Sequence, residues 1–424
     1  MTIKKNIPSQ IKSVFLKAIN STKPKIIFKK NIRNYLPSSK IIKVVAIGKA
    51  ASSMVERIIE LDIAKEGILV TNSENFKKIN GFSCFKTGHP LPDEVGLDAA
   101  VKVEHFLDQL NENHHLLLLL SGGGSSLLPA PAKGISLQNK IYINSKLLES
   151  GININEVNAV RRLFSRLKGG RLLKRAYPAT VTQLIFSDVM DDSLETIASG
   201  VCAPDPYTIN DVKKILTKTK LIKEPFILDY IKRCELNKNL LPFRENHKIF
   251  KNVKSYILAN NKTCLDKAIE IMKKKYNFIS PIGVELSGEA SFTGIKLAKW
   301  FISRKTEKKF FTALGGETTV TLKDIKSGKG GRCQELALSF SIYMKKHFKE
   351  QTDWLILAAG TDGRDGPTDA AGAIVTSESN FDINEANSYL SKNNSYNFLL
   401  KNGLLLKTGG TNTNLGDLVF LVML

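Results

Sequence analysis

The chain is poor in cysteine. Cys84, Cys202, Cys234, Cys264 and Cys333 are the five among 424 residues, an odd number, far apart, with no CxxC pair. That spacing excludes a disulfide framework and a cysteine-ligated zinc site. Long apolar runs are missing too, and none approaches the ~20 residues a membrane helix needs. The first 30 residues carry lysines but neither the apolar core nor the small-residue cleavage site of a signal peptide. Ile11, Val14, Phe15 and Ala18 fall instead on one face of a short surface helix. These absences predict a cytoplasmic protein with no membrane partner.

Acidic residues are scarce: 40 Asp and Glu stand against 62 Lys and Arg, a net charge of +22. Such an excess suits nucleic acid, a membrane surface or an anionic substrate. The lysines, however, are scattered. Lys4-Lys5, Lys29-Lys30, Lys213-Lys214 and Lys273-Lys274-Lys275 are short clusters without arginine or interleaved aromatics. A general lysine bias explains them better than nucleic-acid binding, so no nucleic-acid partner is expected. Familiar catalytic signatures are also lacking. There is no GxxxxGK[ST], no GxGxxG after the first predicted strand, and no persuasive Ser-His-Asp or Cys-His set.

What is present begins with His114-His115, five leucines (Leu116–Leu120) and then Ser121-Gly122-Gly123-Gly124-Ser125-Ser126. The leucines read as a fully buried strand. Glycines after such a strand let backbone N–H groups approach a ligand, and with serine hydroxyls beside them they suit a phosphate. A turn with no ligand explains the same residues.

Elsewhere predicted strands (41–47, 67–71, 181–186, 255–259, 311–314, 354–359, 418–424) alternate with predicted helices (49–61, 93–110, 136–150, 155–175, 263–275, 288–304, 334–346). This pattern predicts an α/β fold with a mostly parallel sheet. Residues 210–254 read as short helices and loops joining two regions. In parallel sheets ligands bind where loops leave the carboxyl ends of the strands. Gly48, Ser121–Ser126 and Ser187-Asp188 all sit at such ends.

The charged candidates follow from position. Lys49 opens a helix at a strand end, where it can neutralise phosphate or carboxylate. Arg332 follows a second glycine-rich loop, Ser327-Gly328-Lys329-Gly330-Gly331, and can hold an anion bidentately. Asp188 and Asp362 stand directly at strand ends, and magnesium takes one or two carboxylates plus substrate phosphates. Turn-forming and helix-capping aspartates account for several of their neighbours. Lysine, arginine, glycine amides and aspartates together are what phosphoryl transfer needs, since it relies on positioning and charge neutralisation.

Ten segments occur in the order of one family. They are Ala46–Met54, Thr87–Gly96, Leu119–Leu128, Asn158–Leu172, Leu184–Val189, Ile197–Gly200, Gly315–Val320, Gly328–Leu338, Gly360–Ala373 and Thr411–Leu418. The chain resembles the glycerate 2-kinases of the MOFRL type, some of which carry hydroxypyruvate reductase labels. The resemblance implies a Rossmann-like N-terminal domain (1–250) and a smaller mixed α/β MOFRL domain (251–424). It also implies transfer of phosphate from ATP to D-glycerate with Mg²⁺, giving 2-phosphoglycerate, and leaves room for a homodimer. By motif, Lys49, Arg332 and Asp188 are the catalytic candidates. Gly122, Gly123, Gly124, Ser125 and Ser126 form the phosphate cradle, and Asp188 and Asp362 are the metal candidates. The rival is an NAD(P)H-dependent hydroxypyruvate reductase, disfavoured by the absent GxGxxG. Two departures stand out. The family's Pro-Gly-Asp-Asp appears as Met190-Asp191-Asp192-Ser193, which predicts backbone strain where Asp191 replaces the turn glycine. A proline and a glycine are lost in Thr408–Asn414.

Overall fold

The computed structural model describes residues 6–307, 309–322, 328–348, 350 and 352–424, so Lys4-Lys5 and Ser327 lie outside the described residues. The chain divides into two units: residues 27–258, and residues 1–26 together with 259–424. The expected division was at residue 250, with the N-terminus in the first domain. The observed N-terminal helix instead belongs with the C-terminal half.

The first unit is built on β1 (Ile41–Ile47), β2 (Gly67–Asn72), β3 (Phe82–Thr87), β4 (His114–Leu120), β5 (Thr180–Phe186) and β6 (Val253–Ala259). Their order is β3-β2-β1-β4-β5-β6, that of the Rossmann fold. β3 with β2, β2 with β1, β1 with β4 and β4 with β5 all pair in parallel. Leu116–Leu120 are fully buried in the middle of this sheet, and Leu116, Leu118 and Leu120 share a core with Val45, Val70, Val103 and Leu172. A continuous apolar run is what a strand covered on both faces requires. Helices 137–149, 154–163, 209–218 and 225–236 gather a separate core around Leu163, Phe164, Leu216 and Tyr230.

One predicted helix is interrupted. Residues 155–175 form Ile154–Leu163 and Arg171–Ala176, with Gly169 and Gly170 at φ +62° and +79° between them. Left-handed residues end a right-handed helix.

The second unit has a mixed sheet of β7 (Asn277–Phe278), β8 (Phe310–Gly316), β9 (Trp354–Gly360), β10 (Gly372–Thr376), β11 (Leu405–Leu406) and β12 (Asp417–Met423). The order is β11-β10-β9-β12-β8-β7. β12 runs antiparallel to both β8 and β9, while β7 and β8 are parallel. The short strands β7 and β11 and the strand β10 were not anticipated. The helix Ile7–Ser21 buries the predicted face, Ile11, Val14, Phe15 and Ala18. Phe15 meets Phe420 of β12 edge-on at 6.3 Å between ring centroids.

Candidate functional site

In the first unit, the strand order reverses between β1 and β4. At such a switch point the loops leaving the two strands part and open a crevice at the carboxyl ends. Ile47 pairs with Leu120, so Gly48 and Ser121 leave the sheet side by side. Gly48 has φ +127°, and a methyl there would lie 2.2 Å from Ser121 Oγ and 2.4 Å from its carbonyl oxygen. Only glycine fits so close an approach.

The two exits are then laced together. Ser121 N–H donates to the Ile47 carbonyl (3.0 Å) and Lys49 N–H to the Gly122 carbonyl (3.0 Å). Ala50 N–H donates to Ser121 Oγ at 3.0 Å. The glycine loop is thus held to the Lys49 turn by hydrogen bonds. Gly123 takes φ +86°, and a methyl there would stand 3.0 Å from the His89 ring, which follows β3. On β5, Ser187 Oγ accepts from Val189 N–H at 3.2 Å, closing the turn that carries Asp188. Lys49 and Asp188 are both half-buried. The structure therefore sets Lys49, Gly122–Ser126 and Asp188 on the exits of three neighbouring strands.

His114 and His115 open β4. His115 Nδ1 lies 2.8 Å from Thr180 Oγ1 on β5. Burial, and then the charge of Lys40, lowers its pKa to about 4.

In the second unit, Arg332 begins the helix Arg332–His347. Its Nε and Nη2 donate to the two oxygens of buried Asp417 at 2.6 and 3.0 Å, and Nη1 donates to Glu317. Burial works against its charge, but the Asp417 and Glu317 carboxylates more than offset this and its pKa is raised. Arg332 lines a cavity of about 370 Å³ with Glu317, Gly330, Gly331, Glu335 and Asn393.

Asp362 follows β9, and its Oδ1 accepts Arg364 N–H at 2.9 Å. A methyl on Gly360 would be 3.3 Å from Asp362 Oδ1 and 3.5 Å from Asp417 Oδ1. Arg332 and Asp362 are therefore brought to the same strand ends. Asp365, three residues on, is structural. It accepts Cys333 N–H (3.1 Å) and Gln334 N–H (2.8 Å) at the start of the Arg332 helix. Burial and then repulsion from Asp417 raise its pKa to about 7.

One expectation about the altered turns is corrected. The left-handed residue near the departure from the family pattern is Asp192 (φ +53°), not Asp191. Asp191 instead accepts Ser193 N–H at 3.1 Å. In the C-terminal loop the left-handed residues are Gly409 (+67°) and Asn412 (+59°). Aspartate and asparagine visit this region more readily than most residues.

Three residues beside the glycine loop were not among the site candidates: His89, Lys168 and Ser199. The neighbours of Lys168 in the Ala198-Ser199-Gly200 turn (φ +49°, +56°, +73°) fall within the Ile197–Gly200 segment of the family pattern, which carries no charged group to mark it.

Residues 310–417 match the MOFRL family, and residues 10–231 match a domain of unknown function, DUF4147. The chain is 36% identical to the D-glycerate 2-kinase of Thermotoga maritima, over 97% of this chain and 98% of that protein. The chain belongs to the glycerate 2-kinase/MOFRL family. It is also 34% identical to the glycerate 2-kinase of Pyrococcus horikoshii, over 90% of this chain and 87% of that one. An Agrobacterium vitis protein bearing a provisional hydroxypyruvate reductase name is 32% identical over 88% of this chain and 97% of its own. The crystal structure of the Thermotoga maritima glycerate kinase superposes with a TM-score of 0.83 at 34% identity, covering 99% of this chain and 100% of that one.

Among the described residues no group of three or more His, Cys, Asp or Glu is assembled to hold a metal ion. No helix among them is long and apolar enough to cross a membrane.

Proposed function

We propose that this protein is a glycerate 2-kinase, transferring the γ-phosphoryl group of ATP to the C2 hydroxyl of D-glycerate. The observation that carries this reading is the glycine loop at the switch point, hydrogen-bonded to the Gly48-Lys49 turn. Its amides and serine hydroxyls suit phosphate oxygens, and the Lys49 ammonium suits their charge. The full-length likeness to a D-glycerate 2-kinase supports the choice of substrate.

The residues fit a magnesium nucleotide. Magnesium keeps several waters and binds through one or two carboxylates plus phosphates, so it does not require a three-carboxylate cage. Asp188 of the first unit is a carboxylate of this kind, and Asp362 of the second is its alternative. Bound Mg²⁺ would neutralise phosphate charge. The C2 oxygen attacks the γ-phosphorus, the bond to the bridging oxygen breaks, ADP leaves, and the hydroxyl proton passes to a carboxylate. Asp188 or Asp362 accepts that proton. Lys49 neutralises transferring charge or holds the substrate carboxylate. Arg332, whose charge Asp417 keeps, is the second unit's own candidate for holding an anion.

Purified protein given ATP, Mg²⁺ and D-glycerate should yield 2-phosphoglycerate and ADP. The 3-phosphate, or no product, would sink the assignment. The reductase reading is tested alongside it by following nicotinamide absorbance with hydroxypyruvate. It is disfavoured because the turn after β1 carries a single glycine and then Lys49, where a dinucleotide fold places its glycine fingerprint.

A further inference from the structure

The glycine loop is held from beneath by a buried chain of polar groups. Lys168 lies in the break between helices 154–163 and 171–176, and is 2% exposed. Its Nζ donates to Ser125 Oγ at 3.1 Å and to the Ala198 carbonyl at 2.9 Å. Ser125 Oγ is 3.1 Å from Ser199 Oγ, and Ser199 Oγ donates to Asn158 Oδ1 at 3.0 Å. Gly169 N–H donates to the Gly200 carbonyl at 2.8 Å, so the Lys168 segment and the Ala198–Gly200 turn are joined through the backbone as well.

Donor and acceptor roles follow. A lysine ammonium only donates, so Ser125 Oγ accepts from it. Ser199 gives its proton to Asn158, so the Ser125 proton has two destinations: Ser199 Oγ or a ligand in the loop. One of the three hydroxyl positions of Ser125, that facing Lys168, is thereby set.

We propose that Lys168 is the positioning residue of the glycine loop, fixing the Ser125 hydroxyl and the Ala198–Gly200 turn in the arrangement that receives a phosphate group. This rests on the reading of Gly122–Ser126 as a phosphate cradle.

The charge around Lys168 favours the same ligand class. The ionisable groups acting on it are Lys140, Arg161 and Arg162, all cationic, and burial followed by these three lowers its pKa well below the ordinary lysine value. Arg162 is itself paired with buried Asp205 at 3.0 Å. Lys168 itself is held by a hydroxyl and a carbonyl rather than by a carboxylate. Cations buried with neutral acceptors gain from an anion placed beside them. A phosphate that accepts the Ser125 proton supplies that charge one hydroxyl away from the ammonium.

The test compares Lys168→Met, Lys168→Arg, Ser125→Ala and the Lys168→Met/Ser125→Ala double variant. The readouts are kcat and KM for ATP and for D-glycerate, and inorganic phosphate binding by calorimetry. Lys168→Met should lower kcat/KM about 100-fold, the cost of a displacement of roughly 1 Å in a positioned group. Lys168→Arg should restore part of it. Because the two residues act as a unit, the double variant should be no worse than Lys168→Met alone. The KM that rises identifies whose phosphate the loop holds, the nucleotide's or the glycerate's.

Additive losses, or unchanged kinetics in Lys168→Met, would overturn the proposal. Should Lys168→Met fail to fold, Ser125→Ala carries the test: unchanged kinetics and phosphate binding there would also overturn it. If wild-type protein makes no 2-phosphoglycerate, the kinase reading falls, while phosphate binding by wild type against Lys168→Met, Lys168→Arg and Ser125→Ala still decides the role of Lys168.

Discussion

Gly48 and Lys49 are adjacent, yet substitution should damage the protein in different ways. At Gly48, alanine combines a left-handed φ of +127° with a methyl 2.2 Å from Ser121 Oγ. The strand exits must separate, and Gly48→Ala should cost at least about 2 kcal/mol of stability. At Lys49 only a half-buried side chain is lost, while the backbone bond to Gly122 stays. Lys49→Ala should therefore melt within a few degrees of wild type and lose on the order of 100-fold in kcat. Thermal denaturation beside steady-state kinetics separates the two. Wild-type turnover in Lys49→Ala would remove Lys49 from the site. Both residues were legible because a glycine and a charge at the end of an apolar run mark a strand exit. Lys168 was not, because lysine is rarely fully buried. Only the three-dimensional meeting of Ser125, Ala198 and Ser199 shows what it holds.

At the scale of elements, β4 was readable from its five leucines, and its two histidines have a consequence of their own. His115 is 3% exposed and its pKa is lowered to about 4. The unfolded chain, with an ordinary histidine near 6.5, binds the proton first as pH falls. Between pH 6.5 and 4 the unfolded state therefore holds more protons, and stability rises with pH across that window. Acidification through it should cost up to about 3 kcal/mol from this group. His115→Leu should flatten that limb in denaturant titrations at a series of pH values, and an unaltered limb would contradict the assignment. The break in the predicted helix 155–175 was harder to read. Its residues keep helical periodicity up to Leu163, and two glycines alone do not announce a left-handed pair. The short strands β7 and β11 pair over two residues each and leave no alternation to detect.

For the whole molecule, the α/β class and the strand–helix alternation were legible, but the allegiance of the N-terminal helix was not. An amphipathic stripe shows that a helix buries one face and carries no information about which element covers it. Here the cover is β12 and the helix Asn261–Met272, more than 200 residues away in sequence: Phe15 meets Phe420, and Thr22 beyond the helix lies 3.9 Å from Cys264 Sγ. Phe15 is wholly buried. Truncating such a ring to alanine typically costs 3–5 kcal/mol because the cavity does not close. That loss belongs to the second unit. In Phe15→Ala, amide exchange should accelerate in β12, β9 and the Asn261–Met272 helix, while β1, β4 and β5 keep their wild-type protection. Accelerated exchange in β1 and β4 with an undisturbed β12 would show that the helix serves the first unit after all. The same measurement with phosphate present adds a control. Protection gained on the Gly48 and Ser121 exits, in a variant whose second sheet has loosened, would show that the loop is organised by the first unit alone.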